Sequence, residues 1–194
     1  MDRVYELRKR AKEKGEPVLR EQSFNLLIDT VKEKRPQRIL EIGVNVGLSG
    51  IAMLLTSPSS RLTGIEIDEE KIKIAKSNYE LFGLKDRVKI FNGDAKEIIP
   101  LITGKYDFIF LDGPKGHYYE YLPFLLSALS KGGVLFADNV LFRGYVKGDK
   151  KVPHRYATIK HSLEKFLTEL TENKTLKTVI YDIEDGVSVS EKLL

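Results

Sequence analysis

Two apolar runs without polar alternation, Phe108-Ile109-Phe110-Leu111 and Val134-Leu135-Phe136-Ala137, each end on an aspartate: Asp112 in the first case, Asp138 followed by Asn139 in the second. A strand that is apolar on both faces has to be covered on both, which is the situation of a mostly parallel sheet flanked by helices. In such sheets the strand ends line the ligand crevice. The two aspartates and Asn139 therefore bring three oxygen donors to one place, a hard donor set suited to magnesium or another divalent cation, with water and substrate oxygens completing an octahedron.

The rest of the chain supplies the remaining layers. Val4, Leu7 and Ala11, then Phe24, Leu27, Ile28 and Val31, recur at helical spacing on either side of the breaker Gly15-Glu16-Pro17 and predict two N-terminal helices. From Arg38 onward strands and helices alternate. Strands are expected at Arg38–Ile42, Leu62–Ile67, Val88–Phe91, Tyr106–Leu111 and Val134–Ala137. Helices are expected at Leu48–Thr56, Glu69–Phe82 with Asp68 as its N-cap, Ala95–Leu101 and Tyr118–Leu129. A last helix near Ala157–Leu170 leads to the runs Leu176–Tyr181 and Val187–Ser190, joined across Glu184-Asp185-Gly186 as a hairpin. The expected fold class is α/β, a doubly wound, mostly parallel, Rossmann-like sheet.

At 194 residues, 42% hydrophobic and 31% charged, the chain suits one domain over 1–194, with N-terminal helices at 1–36 and the α/β core at 37–194. The absence of cysteine excludes disulfides, thiolate zinc sites and cysteine nucleophiles. His117, His154 and His161 show no His-Glu-x-x-His spacing, so a metal should sit among oxygens. No apolar run is long enough for a membrane span, and no membrane partner is expected. The expected location is cytoplasmic. The net charge of +4 is concentrated in Arg143, Lys147, Lys150, Lys151, Arg155 and Lys160, against the one acid Asp149. That stretch suits a polyanionic substrate and equally a solvated loop and helix face.

The loop after the first strand reads Glu41-Ile42-Gly43-Val44-Asn45-Val46-Gly47-Leu48-Ser49-Gly50. A dinucleotide fingerprint starting at Gly43 needs glycine at 45 and 48, where Asn45 and Leu48 stand, so the loop argues against NAD. Gly43 and Gly47 still admit a ligand close to the backbone. The following helix start, with the Ser49 hydroxyl, can hold a carboxylate. S-adenosylmethionine has a carboxylate and no pyrophosphate. Glu66, at the end of the second strand, is placed to accept from both ribose hydroxyls. Asp94 is placed for an adenine amino group, although with Glu97 it also reads as a capping box.

A sulfonium methyl is already a good electrophile, so catalysis needs an ionised nucleophile in line and at close range. A cation at Asp112, Asp138 and Asn139 could lower the pKa of a substrate hydroxyl and fix its position. Lys115, in the flexible loop Gly113-Pro114-Lys115-Gly116, can aim its amine at that hydroxyl. Nearby carboxylates favour its protonated form, and a bound cation with desolvation favours the neutral one.

Taken together, Leu111-Asp112-x-x-Lys115 and Ala137-Asp138-Asn139-Val140 resemble the class I, metal-dependent S-adenosylmethionine O-methyltransferases of the catechol and caffeoyl-CoA type. The resemblance runs from Pro17-Val18 to the final strands. It implies a seven-stranded sheet with the last strand antiparallel, a homodimer, and cofactor contacts at Glu41, Gly43, Ser49, Glu66, Asp94, Ala95 and Asp112. It also implies metal ligation by Asp112, Asp138 and Asn139, with Lys115 and Asp112 catalytic. Val140-Leu141-Phe142-Arg143-Gly144 and Asp185-Gly186-Val187-Ser188-Val189-Ser190 look most like the bacterial branch that methylates tRNA 5-hydroxyuridine at the wobble position to 5-methoxyuridine. The leading expectation is therefore a tRNA acceptor, with a small catechol-like or acyl-CoA phenol as the alternative and a non-catalytic nucleotide-binding domain as a third reading.

Overall fold

Apolar runs and helical-period segments become strands and helices in the order expected, in a computed structural model that describes residues 2–148 and 150–194. Asp149, the one acid of the basic stretch, lies outside the described residues. The elements are α1 (Asp2–Glu13), α2 (Glu21–Lys34), β1 (Arg38–Ile42), α3 (Leu48–Thr56), β2 (Arg61–Glu66), α4 (Glu69–Leu81), β3 (Val88–Asn92) and α5 (Ala95–Ile98). They continue as β4 (Tyr106–Leu111), α6 (Tyr118–Ala128), β5 (Leu129–Asp138), α7 (Ala157–Glu172), β6 (Leu176–Tyr181) and β7 (Val187–Lys192).

The described strands form one seven-stranded sheet in the order β3-β2-β1-β4-β5-β7-β6. β1 pairs in parallel with β2 and β4, β2 with β3, and β4 with β5, whereas β7 runs antiparallel to both β5 and β6. The chain winds outward from β1 in one direction and from β4 in the other, so the topological switch point, where α/β sheets open a crevice, lies between β1 and β4.

Side-chain alternation sorts the core into two layers. Ile39, Phe108, Phe110, Val134 and Phe136 pack under α1–α4 with Phe24, Leu27, Val31 and Leu54. Leu40, Ile42, Ile109, Leu111 and Leu135 pack on the other face under α5–α7 with Tyr118, Leu125 and Phe166. Among the described residues, no helix is long and apolar enough to cross a membrane.

Several boundaries differ from the sequence expectation, four of them for evident local reasons. β2 stops at Glu66 and leaves Ile67 exposed, because Asp68 Oδ1 turns the chain by accepting from the Glu70 and Lys71 N–H groups at 2.9 and 3.2 Å. The helix expected over 95–101 tightens into a 3-10 turn at Ile99–Leu101, where Pro100 has no N–H to continue the α-ladder. α6 ends at Ala128, and β5 already begins at Leu129. The β4–β5 ladder pairs Tyr106 with Leu129 and then jumps to Phe108 with Val134, a bulge that absorbs Lys131-Gly132-Gly133. β7 extends to Lys192, paired with Leu176, rather than ending at Ser190.

Candidate functional site

Register alone assembles the site. Ile42 pairs with Ile65 on β2 and with Leu111 on β4, and Leu111 pairs with Ala137 on β5. One residue further on, Glu66, Gly43, Asp112 and Asp138 therefore stand in a row across four neighbouring strands, about 4.8 Å from one strand to the next. Backbone bonds carry the row past the strand ends: Gly43 N–H donates to Ile65 O at 3.0 Å and Asp112 N–H to Ile42 O at 3.0 Å. Above it opens a cleft of about 390 Å³, lined by Gly43, Asn45, Ser49, Glu66, Asp112 and Lys115 and walled by Val18 and Leu19 from the linker before α2.

The cofactor half is built around Glu66. Its Oε2 accepts from Asn45 N–H at 2.7 Å, and Oε1 accepts from Ile67 and Asp68 N–H at 2.9 and 3.0 Å. A carboxylate has about four acceptor positions, so three are already used, and a ribose with two hydroxyls can be served in full only if one backbone bond yields. Asn45, whose role the sequence did not reveal, sits at φ 48 and ties the loop to the linker through Nδ2 to Pro17 O at 3.0 Å. Ser49 is in the first turn of α3. Gly47 caps that helix without a side-chain acceptor, which leaves its first N–H groups to a ligand carboxylate. Asp94 and Ala95 line a smaller hollow of about 100 Å³ that shares Gly43 and Glu66 with the cleft. Asp94 also caps α5, accepting from Lys96 N–H at 2.8 Å.

Glu41 departs from its expected place. It is completely buried and does not line the cleft. Alternation turns its side chain to the same face as Ile39, beneath α3, where it lies beside Tyr79 and Gly50. Burial, with the charges of Asp112 and Glu66 added, pushes its carboxyl well above the usual carboxylate range. Burial thus favours the neutral form of this carboxyl, which lies under the cleft and does not form part of its lining.

The metal half is built around Asp138. Its residue is 3% exposed; Oδ2 accepts from Asn139 Nδ2 at 2.7 Å, and Oδ1 is buried with no hydrogen-bond partner among the described residues. Burial and the neighbouring Asp112 charge push its carboxyl up to about 7, against the opposing pull of Asn139 N–H, Lys115 and Ser23. Asp112 is likewise raised by burial, with Lys115 pulling it back down; Lys115 Nζ is 3.6 Å from its Oδ1. Asn139 adopts φ 58, a left-handed conformation that asparagine tolerates better than most residues. With its amide nitrogen on Asp138, its carbonyl oxygen remains to ligate.

A second residue whose role the sequence did not reveal holds the two strand ends together. The buried Tyr118 hydroxyl lies 3.2 Å from Leu111 O and 3.3 Å from Asp138 O. Burial first, then the charges of Asp112 and Asp138, raises its pKa well above that of an ordinary tyrosine, so it stays a neutral donor.

This donor set fits a hard divalent cation. It offers two carboxylates placed side by side, an orphaned buried oxygen and an amide carbonyl. Among the described residues there is no cluster of three or more His, Cys, Asp or Glu side chains. A cation would therefore draw its remaining ligands from water and acceptor.

The chain is similar to known methyltransferases. The family model described as O-methyltransferase matches residues 6–193. Catechol O-methyltransferase from Sus scrofa is 39% identical over 130 residues, 61% of this chain and 68% of that enzyme. Against several other curated relatives the chain spans only about half of the relative's length. A Staphylococcus aureus protein provisionally assigned as a caffeoyl-CoA O-methyltransferase superposes with a TM-score of 0.88 at 25% identity, over 97% of this chain and 91% of that one. The SAH-bound Podospora anserina methyltransferase PaMTH1 superposes with a TM-score of 0.80 at 26% identity, over 90% and 80%.

Proposed function

Since this chain belongs to the O-methyltransferase family, whose model spans residues 6–193, we propose that it transfers the methyl group of S-adenosylmethionine to a hydroxyl of a small catechol-like phenol at a site holding a divalent cation. The observation that carries this reading is the juxtaposition of the orphaned Asp138 Oδ1 with Asp112, directly beside the cleft lined by Gly43, Ser49 and Glu66.

Each residue then has a task. Glu66 holds the donor's ribose, and the first turn of α3 with Ser49 holds its carboxylate. Asp112, Asp138 and the Asn139 carbonyl hold the cation, with magnesium as the expected ion. When bound, the cation supplies Lewis-acid polarisation of the acceptor hydroxyl and fixes it in place. Lys115, with its Nζ 3.6 Å from Asp112 Oδ1, is the group to take up the proton that hydroxyl loses. Transfer forms the acceptor O–CH3 bond, breaks the sulfur–CH3 bond and leaves S-adenosylhomocysteine.

The small phenol is favoured over tRNA by the state of the basic stretch. Lys147 pairs with Asp182 and Lys160 with Glu164. The Arg143 guanidinium lies 5.9 Å from the Phe142 ring and 5.6 Å from the Tyr156 ring, and Arg155 lies 4.8 Å from Tyr156. Four of the cations expected to engage phosphates are thereby engaged within the protein. The rings the two arginines lie over, Phe142 and Tyr156, form an aromatic cluster with Tyr145 in the segment after Asn139. The relatives named for catechol and caffeoyl-CoA substrates support the same choice.

One enzyme preparation offered both acceptors with labelled donor tests the assignment. Catechol should take up methyl, and tRNA carrying 5-hydroxyuridine should not. Methylation of the tRNA without turnover of any small phenol would reverse the choice of acceptor.

A further inference from the structure

One face of α4 supports the cofactor loop from below. Ala75, Asn78 and Tyr79 stand three and four positions apart on that helix and so share a face, and all three meet the loop between Val46 and Gly50. Asn78 Nδ2 donates to Val46 O at 2.9 Å. A Cβ on Gly47 would lie 3.1 Å from Tyr79 Cε2 and 3.3 Å from Ala75 Cβ. One on Gly50, in the first turn of α3, would lie 2.0 Å from the Tyr79 hydroxyl and 2.7 Å from Glu41 Oε2. The phenol therefore fills a gap that only a glycine at 50 leaves open.

Ordinary core packing does not account for this spot. Tyr79 is 1% exposed, and among the described residues its hydroxyl and both Glu41 oxygens are buried with no hydrogen-bond partner. A buried polar group without a partner is destabilising, and glycine is a weaker helix former than alanine. Leucine in place of Tyr79 and alanine in place of Gly50 would avoid the buried hydroxyl and the helix glycine together. Departures from local rules of this kind concentrate at functional sites, and the element they touch is the turn that carries Ser49 and the uncapped N–H groups of α3.

We propose that Asn78 and Tyr79 are positioning residues for the amino-acid end of the methyl donor: Asn78 fixes the Val46 carbonyl, and Tyr79, with its hydroxyl under Gly50, holds the first turn of α3 where its N–H groups and Ser49 receive the donor carboxylate. This rests on the reading of that turn as the carboxylate site. The ribose end is held separately, since Glu66 Oε1 is set by the Ile67 and Asp68 N–H groups at 2.9 and 3.0 Å.

The test compares two ligands by titration calorimetry on the full chain: S-adenosylhomocysteine, and 5′-methylthioadenosine, which keeps adenine, ribose and sulfur but has neither the amino nor the carboxyl group. Tyr79→Leu and Asn78→Ala should each weaken S-adenosylhomocysteine roughly tenfold or more, the scale of a misaligned bond to a charged group, and leave methylthioadenosine within about twofold of wild type. Gly50→Ala should weaken S-adenosylhomocysteine as well, but should add no further loss in the Tyr79→Leu background, where the methyl group has room. Asn78 is only partly buried, so its variant keeps the comparison available if Tyr79→Leu does not fold. Unchanged S-adenosylhomocysteine affinity in Asn78→Ala and Tyr79→Leu, equal weakening of both ligands, or additive losses in the double variant overturns the proposal. A wild type that binds methylthioadenosine as tightly as S-adenosylhomocysteine overturns the carboxylate reading beneath it, and that control separates the two failures.

Discussion

A Cβ placed on Gly43 would lie 2.3 Å from the carbonyl oxygen of Asp112. The cofactor loop and the aspartate loop touch through bare backbone, and the space between them has no room for a methyl group. Asp112 cannot retreat without breaking its N–H bond to Ile42 O.

Gly43→Ala should therefore damage both stability and donor binding. The left-handed backbone at φ 90 costs about 1–2 kcal/mol for any residue with a Cβ, and the clash adds to it. Gly83→Ala is the matched control, because Gly83 also has positive φ but nothing within 4 Å of its Cβ position. Calorimetric melting with and without S-adenosylhomocysteine checks this: Gly43→Ala should lose more stability than Gly83→Ala and should lose ligand affinity, whereas Gly83→Ala keeps it.

Glu66 is the residue on which donor affinity should depend most. Removal of a charged hydrogen-bond acceptor costs about 1.5–3 kcal/mol, or roughly 10–100-fold in Kd. Glu66→Gln should be nearly as harmful as Glu66→Ala, since an amide nitrogen would face either Asn45 N–H or the Ile67 and Asp68 N–H groups. Titration calorimetry with S-adenosylhomocysteine measures the loss, and wild-type affinity in Glu66→Ala would remove Glu66 from the cofactor site.

Glu41 gives a pH signature. Its folded pKa lies well above the ordinary carboxylate value. Below that ordinary value, near 4.5, the proton is bound in folded and unfolded states alike, and stability is fully present. As pH rises, the unfolded chain ionises first, and stability is lost until the folded pKa is passed, at up to about 1.4 kcal/mol per pH unit. Glu41→Gln removes this term. Its melting temperature should match wild type near pH 4 and exceed it by a margin that widens toward neutrality. A variant less stable than wild type at every pH would contradict the buried neutral acid.

Much of this was legible in the sequence because local pattern and global fold agree. Val134-Leu135-Phe136-Ala137 reads as a buried strand at any level of description, and a parallel sheet puts its terminal acid at the crevice. The row Glu66, Gly43, Asp112 and Asp138 follows from strand ends alone. What stayed hidden depends on direction or on distance along the chain. Glu41 and Ile42 are adjacent, and the sequence does not tell that only the first turns under α3. The bulge at Lys131-Gly132-Gly133 looks like a loop, since neither glycine nor lysine signals a strand. Neither Tyr118 bridging two strand ends nor Glu184 capping α2 leaves any trace in local pattern, because each bond is made across the fold. The basic stretch after Arg143 was visible as charge, but its ion pairs and stacked guanidiniums were not.

If Asp112 and Asp138 hold a divalent cation that activates an acceptor hydroxyl, methyl transfer must depend on that ion. Methyl transfer to catechol, measured after EDTA treatment and through stepwise return of Mg2+, tests it most directly when wild type and Asp138→Asn are run alongside S-adenosylhomocysteine binding. Wild-type activity should vanish on chelation and return with the ion. Asp138→Asn should bind S-adenosylhomocysteine normally and lose methyl transfer by about 100-fold or more. Full wild-type turnover in excess EDTA, or an active Asp138→Asn enzyme, would show that no cation at Asp112 and Asp138 takes part in the reaction.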